Sequence, residues 1–409
     1  MKPKHIIIII ILISISFFSC DLISDRMVNV LTLLVIFYLV LEYMKYKDAS
    51  VKKTAMFSKP VLMLMLFPFL SSITCYIYRG QPIINSLIVN REMLLWVFYF
   101  FLHWKRVNPQ YLINCVCGIG ICFALINIIQ QITYPSFAYF GVVTNEFGIL
   151  EERNGFYRFR ISGSEYVFFL TFYSFYLLLA RKSVKSLIFF ILGIAGIYLT
   201  LTRQLWVAAI ISLLLIPLLL SNIQTSKKIL FTIFGSMACI LIINNLDTIF
   251  GRDLLEQSSN QFYNSDYVRW RAYEFYGLDY WVDWFNMLLG NGMHAEVAGN
   301  QYGAYIRKIY DDFGLFQSDI GIVGVFSQYG LIYVLAIVLF YRKLFILRTY
   351  VQPYILMLIC ASLVTIFMIF WVRDAVFFSI ILYMVDVNIE YMKSGNYQTM
   401  KSANIKTSF

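Results

Sequence analysis

Four arginines and three proton acceptors carry whatever chemistry this chain performs. Arg203 stands in YLTLTRQLWVAA, between two apolar runs with almost no connecting residues; Arg269 and Arg271 stand in DYVRWRAYEF; Arg160 closes EERNGFYRFR. A guanidinium is a planar fork that meets a phosphate through two parallel hydrogen bonds, which a point-like ammonium does not reproduce. A charge at the mouth of two apolar runs is costly unless paired or set in a wet cavity. The tight hairpin fixes the backbone at Arg203, so this residue reads as a ligand group, with interfacial snorkelling as the plainer account. Arg269 and Arg271 diverge by about 200° on a helix, so they do not both aim at one ligand.

The candidate bases are His294, Glu165 and Asp319. His294 follows the turn Gly290-Asn291-Gly292 and is one of three histidines, with His5 and His103 at span ends of the other face. A histidine near its ordinary pKa of ~6.5 is neutral at the outer face and accepts a proton directly, a contribution of roughly 10²- to 10⁴-fold. A carboxylate does so only when burial or a like charge raises its pKa, and neighbouring arginines push the other way. Glu165 is therefore expected to hold Arg158 or Arg160 in place, and Asp319 to cap the span that begins SDIGIVG. The glycine turn lacks a preceding strand and a βαβ frame, so it is not a dinucleotide site. The seven cysteines lie in or beside apolar runs without a CxxC pair, which indicates neither zinc nor a disulfide framework.

The elements that must position these groups are membrane helices. With 60% hydrophobic and only 14% charged residues, the composition leaves the soluble globular range. Apolar runs at about 5–20, 27–44, 60–78, 83–104, 111–133, 164–180, 186–202, 204–220, 229–246, 319–340, 353–371 and 375–390 approach the roughly 20 residues that cross a ~30 Å core. The expected fold class is an all-α, polytopic integral membrane protein of about 12 transmembrane helices with one large extracytoplasmic loop. Residues 1–246 would hold the first nine helices and an outer loop at 134–163, residues 247–318 the large loop, 319–390 the last three helices, and 391–409 a cytoplasmic tail.

Orientation comes from the basic residues. The segments assigned to the cytoplasm carry 16 Lys and 4 Arg, and the outer segments 12 Arg and 1 Lys, which together make the 33 of the chain. Topology requires only positive charge; an outer preference for arginine points to phosphate or an anionic sugar, although 19 of the 23 carboxylates lie on the same side as pairing partners. In the large loop, Trp270, Tyr273, Gly277, Trp281, Trp284 and Leu288 recur at helical spacing, consistent with a helix lying in the interface. Arg91–Glu92, within an apolar run, reads as an internal ion pair.

Taken in order, FRISGSE before a span, the hairpin LTRQLW, an arginine in the outer loop followed by LLGNG, and SDIGIVGVFSQYGLIYVL entering the next span resemble the O-antigen polymerase and O-antigen ligase superfamily over roughly residues 140–345. The resemblance implies a GT-C-like, lipid-linked glycosyltransferase of the bacterial plasma (inner) membrane. It would work on undecaprenyl-diphosphate-linked glycans at the periplasmic or outer face, without cofactor, metal or nucleic acid, and would contact membrane lipid and a chain-length regulator. Arg203 matches the hairpin arginine that the family uses on the diphosphate, and Arg269 matches the loop arginine better than Arg271. Ligases place Asn, Ser or Gln after the loop histidine; Ala295 follows His294, which favours the polymerase for O-antigen or capsule repeats. A ligase-like transferase and a flippase or transporter are the alternatives. A transporter would carry mid-membrane charges on several spans and often an internal repeat.

These assignments fix a topology. A cysteine placed at Ser258 should react with an impermeant thiol reagent in intact spheroplasts while one at Lys401 is shielded; the reverse pattern would invert the orientation.

Overall fold

The computed structural model describes residues 3–45, 55–144, 150–153, 155–181, 183–219, 228–229, 233, 267–364 and 374–393. It is an all-α membrane protein whose helices are α1 (Pro3–Ser14), α2 (Asp25–Lys45), α3 (Ser58–Arg79), α4 (Ile83–Lys105), α5 (Pro109–Thr133), α6 (Ser164–Arg181), α7 (Val184–Leu199), α8 (Arg203–Leu219), α9 (Val268–Glu274), α10 (Trp284–Leu289), α11 (Gln301–Phe313), α12 (Ile322–Ile346), α13 (Pro353–Val364) and α14 (Ala375–Lys393). Six of these, α2, α3, α4, α5, α12 and α14, are long and apolar enough to cross a membrane. Apolar stretches of α1, α7, α8 and α13 are shorter. Most of the apolar run at 229–246 and the start of the large loop at 247–266 lie outside the described residues.

Local signals set the helix ends. Asn108 accepts from the Gln110 amide at 2.8 Å and Pro109 supplies the first residue of α5. Gly80, left-handed at φ 67°, ends α3 by returning its amide to the Tyr76 carbonyl. Within the bundle, α6 packs between α5 and α7. Small residues permit the close approach: a Cβ on Gly120 of α5 would lie 2.5 Å from the Tyr166 carbonyl oxygen. Arg91 and Glu92 stand 4.0 Å apart in α4, and Arg91 also donates to Asn29 of α2. At the lysine-rich end, Asp386 of α14 accepts from Tyr99 and meets His103 Nε2 at 3.2 Å, tying α14 to α4.

At the opposite end, the segment 267–320 folds back over α3 and α12. It is not one interfacial helix. A π-helical turn at Phe275–Asp279 follows α9, the chain breaks at 280–283, and Asp283 caps α10 by accepting from Asn286. The break lets Tyr276 and Tyr280 turn inward beside Tyr302, Ile306 and Ile309 of α11 into a second core, while Trp270 and Trp284 stay exposed. Arg79 at the end of α3 pins this core: it donates to Asn291 Oδ1 at 2.7 Å and to the Tyr280 carbonyl at 2.6 Å, and lies 4.5 Å over the Tyr280 ring. Gln81 receives the Ala295 amide and the Asn300 side chain.

The central junction joins the glycine turn to a break in α12. Gly330 (φ 75°, ψ −179°) interrupts the helix, and the amides of Asn291 and Gly292 donate to the Ser327 and Gln328 carbonyls at 3.1 and 2.7 Å. Gly290 and Gly330 touch backbone to backbone; a Cβ on Gly290 would lie 2.3 Å from the Gln328 oxygen, and one on Gly330 would lie 2.4 Å from the Gly290 nitrogen. Both glycines also hold conformations that other residues rarely adopt.

Gly290→Ala and Gly330→Ala should each destabilise the protein by roughly 2 kcal/mol or more, from strain and overlap together. Gly299, also left-handed but with open space at its Cβ position, should cost about 1 kcal/mol on replacement by alanine. Thermal unfolding of the three variants in detergent checks this. Equal losses would show that the interlock contributes nothing beyond backbone strain.

Candidate functional site

The arginine site is assembled from three separate segments. The stretch 150–157 forms a small hairpin, β1 (Glu152–Arg153) with β2 (Phe156–Tyr157). Glu151 receives Arg153 Nε at 2.7 Å and Arg158 Nη1 at 2.9 Å. Partial burial raises the Glu151 pKa, but these hydrogen bonds and charges outweigh it and hold the carboxyl below its ordinary range. Arg153 also donates to the Leu201 carbonyl at 2.9 Å, in the three-residue link between α7 and α8. Helix ends leave carbonyls without helical partners, and a cation is a natural partner for them.

That link is held rigidly. Leu201 is left-handed at φ 50°, Trp206 stacks on Tyr198 at 5.0 Å, and the Trp206 indole donates to the Ile197 carbonyl. Arg203 therefore begins α8 at a fixed place. Burial, then the neighbouring guanidinium groups of Arg153 and Arg269, lower its pKa from the ordinary arginine value. Arg203 thus feels one cation from the hairpin, itself paired with Glu151, and one from α9, an arrangement that favours a further anion at Arg203. The structure brings Arg203 and Arg269 together and adds Arg153. Arg271 is exposed on α9, as its offset from Arg269 requires, and Arg160 is an exposed residue whose amide donates to the Gly141 carbonyl.

A cavity of about 260 Å³ is bordered by Leu205, two residues beyond Arg203 on α8, with none of the three arginines in its lining. The ends of α1, α6, α8, α13 and α14 enclose it. Its walls are mostly apolar, including Phe168, Phe377 and Phe378, and its polar groups are Glu165, Asp374 and four serine hydroxyls. Glu165 does not hold an arginine as expected. Arg158 pairs with Glu151 instead, and Glu165 makes no ion pair among the described residues. Its electrostatic neighbour is Asp374, because the first turn of α6 faces the start of α14 rather than the hairpin.

His294 occupies a neighbouring cleft of about 470 Å³ with Asp25, Asn29, Glu92 and Glu296. It is not an exposed loop histidine: only 12% of its side chain is accessible, and its ring meets those of Tyr310 and Tyr302 edge-on at 5.7 and 6.4 Å. Burial lowers its pKa, against the pull of Glu296 at 3.9 Å and with a small push from Arg307. The ring is therefore neutral at pH 7, and Nδ1 is buried without a hydrogen-bond partner among the described residues. Asp319 does not cap α12. It sits within the 3₁₀ turn Gln317–Ile320, and Gly321 takes the capping position. Asp319 lies near Tyr310, the tyrosine that touches His294. Ser14, at the end of α1, borders both cavity and cleft.

Asp374 and the proximity of Arg153 to Arg203 are additions that the sequence reading did not make. WVRDAVFF showed an acid at the head of the last helix, but its partner lies in another segment. No protein-family model matches the chain, and no curated protein matches it.

A lowered His294 pKa has a consequence for stability. The unfolded chain binds that proton more tightly than the folded one, so the contribution of neutral His294 is complete above the ordinary value of ~6.5 and is lost as pH falls below it. Unfolding temperatures measured between about pH 5 and 7 should therefore decline on the acid side, and less steeply in His294→Asn. An unchanged slope would assign the titration to other groups.

Proposed function

We propose that the protein is a lipid-linked glycosyltransferase that polymerises O-antigen or capsule repeat units, moving a glycan from undecaprenyl diphosphate to a hydroxyl of another lipid-linked repeat at the outer face of the bacterial plasma membrane. The observation that carries the proposal is the convergence of Arg153 and Arg269, from two other segments, on Arg203, with a carboxyl-lined cavity that begins two residues further along α8 at Leu205. In this reaction the acceptor oxygen bonds to the anomeric carbon as the bond from that carbon to the diphosphate breaks. The electron pair leaves on the diphosphate, and the hydroxyl proton passes to a base.

Fixed guanidinium groups stabilise that departing charge most strongly where water is partly excluded. Arg203, placed by a rigid link, and Arg269 of α9, which acts on it electrostatically, are the diphosphate ligands in this reading, and Arg153 adds to the field. Glu165 is the candidate base, in the cavity that begins at Leu205. His294, with Asp319 nearby, is the alternative in the neighbouring cleft, and it suits a ligase-like transfer in which a neutral imidazole takes the proton.

Cells lacking the protein should carry single repeats on lipid A with no ladder; polymer accumulating off lipid A would instead indicate a ligase. Complementation with Arg203→Lys should restore little more than Arg203→Ala, both reduced about 100-fold or more, because an ammonium does not reproduce the bidentate geometry. Full polymer from the lysine variant at normal protein levels would remove the phosphate-fork argument.

A further inference from the structure

We propose that the cavity between Glu165 and Asp374 receives the sugar ring bearing the attacking hydroxyl, and that this pair of carboxylates takes its proton. The inference rests on the polymerase reading above and assigns to it an acceptor subsite and a residue, Asp374, at the head of the last helix.

Charge sorts the two ends of the substrate. A lipid-linked glycan is anionic at its diphosphate and neutral and hydroxyl-rich along its sugars. The arginines attract the first; a cavity lined by two carboxyls and no cation offers it nothing, and exchanges hydrogen bonds with the second. At about 260 Å³ the space suits one ring rather than an oligosaccharide. A few convergent polar groups among apolar and aromatic walls are the general form of a small-molecule site.

The second observation is Glu165 itself. Its half-buried side chain opens on the cavity, its carboxyl receives its own backbone amide, and no side chain among the described residues donates to it or pairs with it. Glu151, Asp283 and Asp386 all have such partners. One amide leaves most of the carboxyl's accepting capacity unused, and sugar hydroxyls entering the cavity would fill it. In the transfer, one carboxylate takes the proton as the acceptor oxygen bonds to the donor's anomeric carbon, and the diphosphate leaves with its electron pair towards the arginines. The proton then passes to solvent.

The test uses the full-length protein in nanodiscs, polymer-bearing lipid as donor, and radiolabelled single lipid-linked repeats extracted from cells lacking the protein as acceptor. Asp374→Asn should raise the acceptor KM about tenfold while leaving donor KM within a factor of two, and Asp374→Glu should recover part of the loss. Glu165→Gln should lower kcat about 100-fold. Independently of any variant, the delipidated repeat-unit glycan should protect Glu165 from modification by dicyclohexylcarbodiimide. A wild type that elongates while the amide variants keep its kcat and acceptor KM, or that shows no protection, overturns this inference alone. A wild type that never elongates overturns the polymerase reading and this inference with it.

Discussion

The mutual insertion of Gly290 and Gly330 is the constraint on which the described structure depends. A helix at membrane depth satisfies its own backbone, and any break must find partners elsewhere. Here α12 breaks at Gly330, and the glycine turn supplies the missing donors through the amides of Asn291 and Gly292. The exchange works only because neither glycine has a side chain to hold the backbones apart. Arg79, Gln81 and the buried tyrosines then fasten the rest of 267–320 around that contact. The placement of α9, and so of Arg269, follows from it.

Electrostatics divides the site end of the bundle into zones. The cations acting on Arg203 are Arg153 and Arg269; in the cavity beyond Leu205 the titratable groups are the carboxyls Glu165 and Asp374; in the cleft the carboxylates outnumber the neutral His294. The zones are adjacent, since Leu205 leads from the first to the second and Ser14 separates the second from the third. Cationic and carboxyl-lined zones at such short range along α8 suit a ligand with an anionic end and a hydroxyl-bearing end.

What could be read in the sequence was set by how local the signal was. Apolar runs gave the helices, because a helix satisfies its backbone within itself, and the tight link at Arg203 was visible as two runs with almost nothing between them. The 200° offset of Arg271 from Arg269 followed from helix geometry alone. Failures came where distant segments decide the outcome. Aromatic spacing from Trp270 to Leu288 mimicked one helix, yet burial of Tyr276 and Tyr280 against α11 broke it. Asp319 stood at the head of a span, but the cap position passed to Gly321. Glu165 was assigned to arginines a few residues away when its neighbour, Asp374, lay near the other end of the chain.

The interlock also sets an order of events during synthesis. Gly290 pairs with residues of α12 and with Thr74 of α3, a hydrogen bond spanning 216 positions of sequence, and Arg79 reaches Asn291 across 212. A ribosome that has delivered α1 to α8 has made most of the scaffold but nothing for α3 to grip. The segment 267–320 therefore stays unfastened until α12 emerges and enters the bilayer, and the cavity closes only when α14 brings Asp374. A nascent chain cut short before α12 would be membrane-bound and helical yet would lack both the interlock and the cavity.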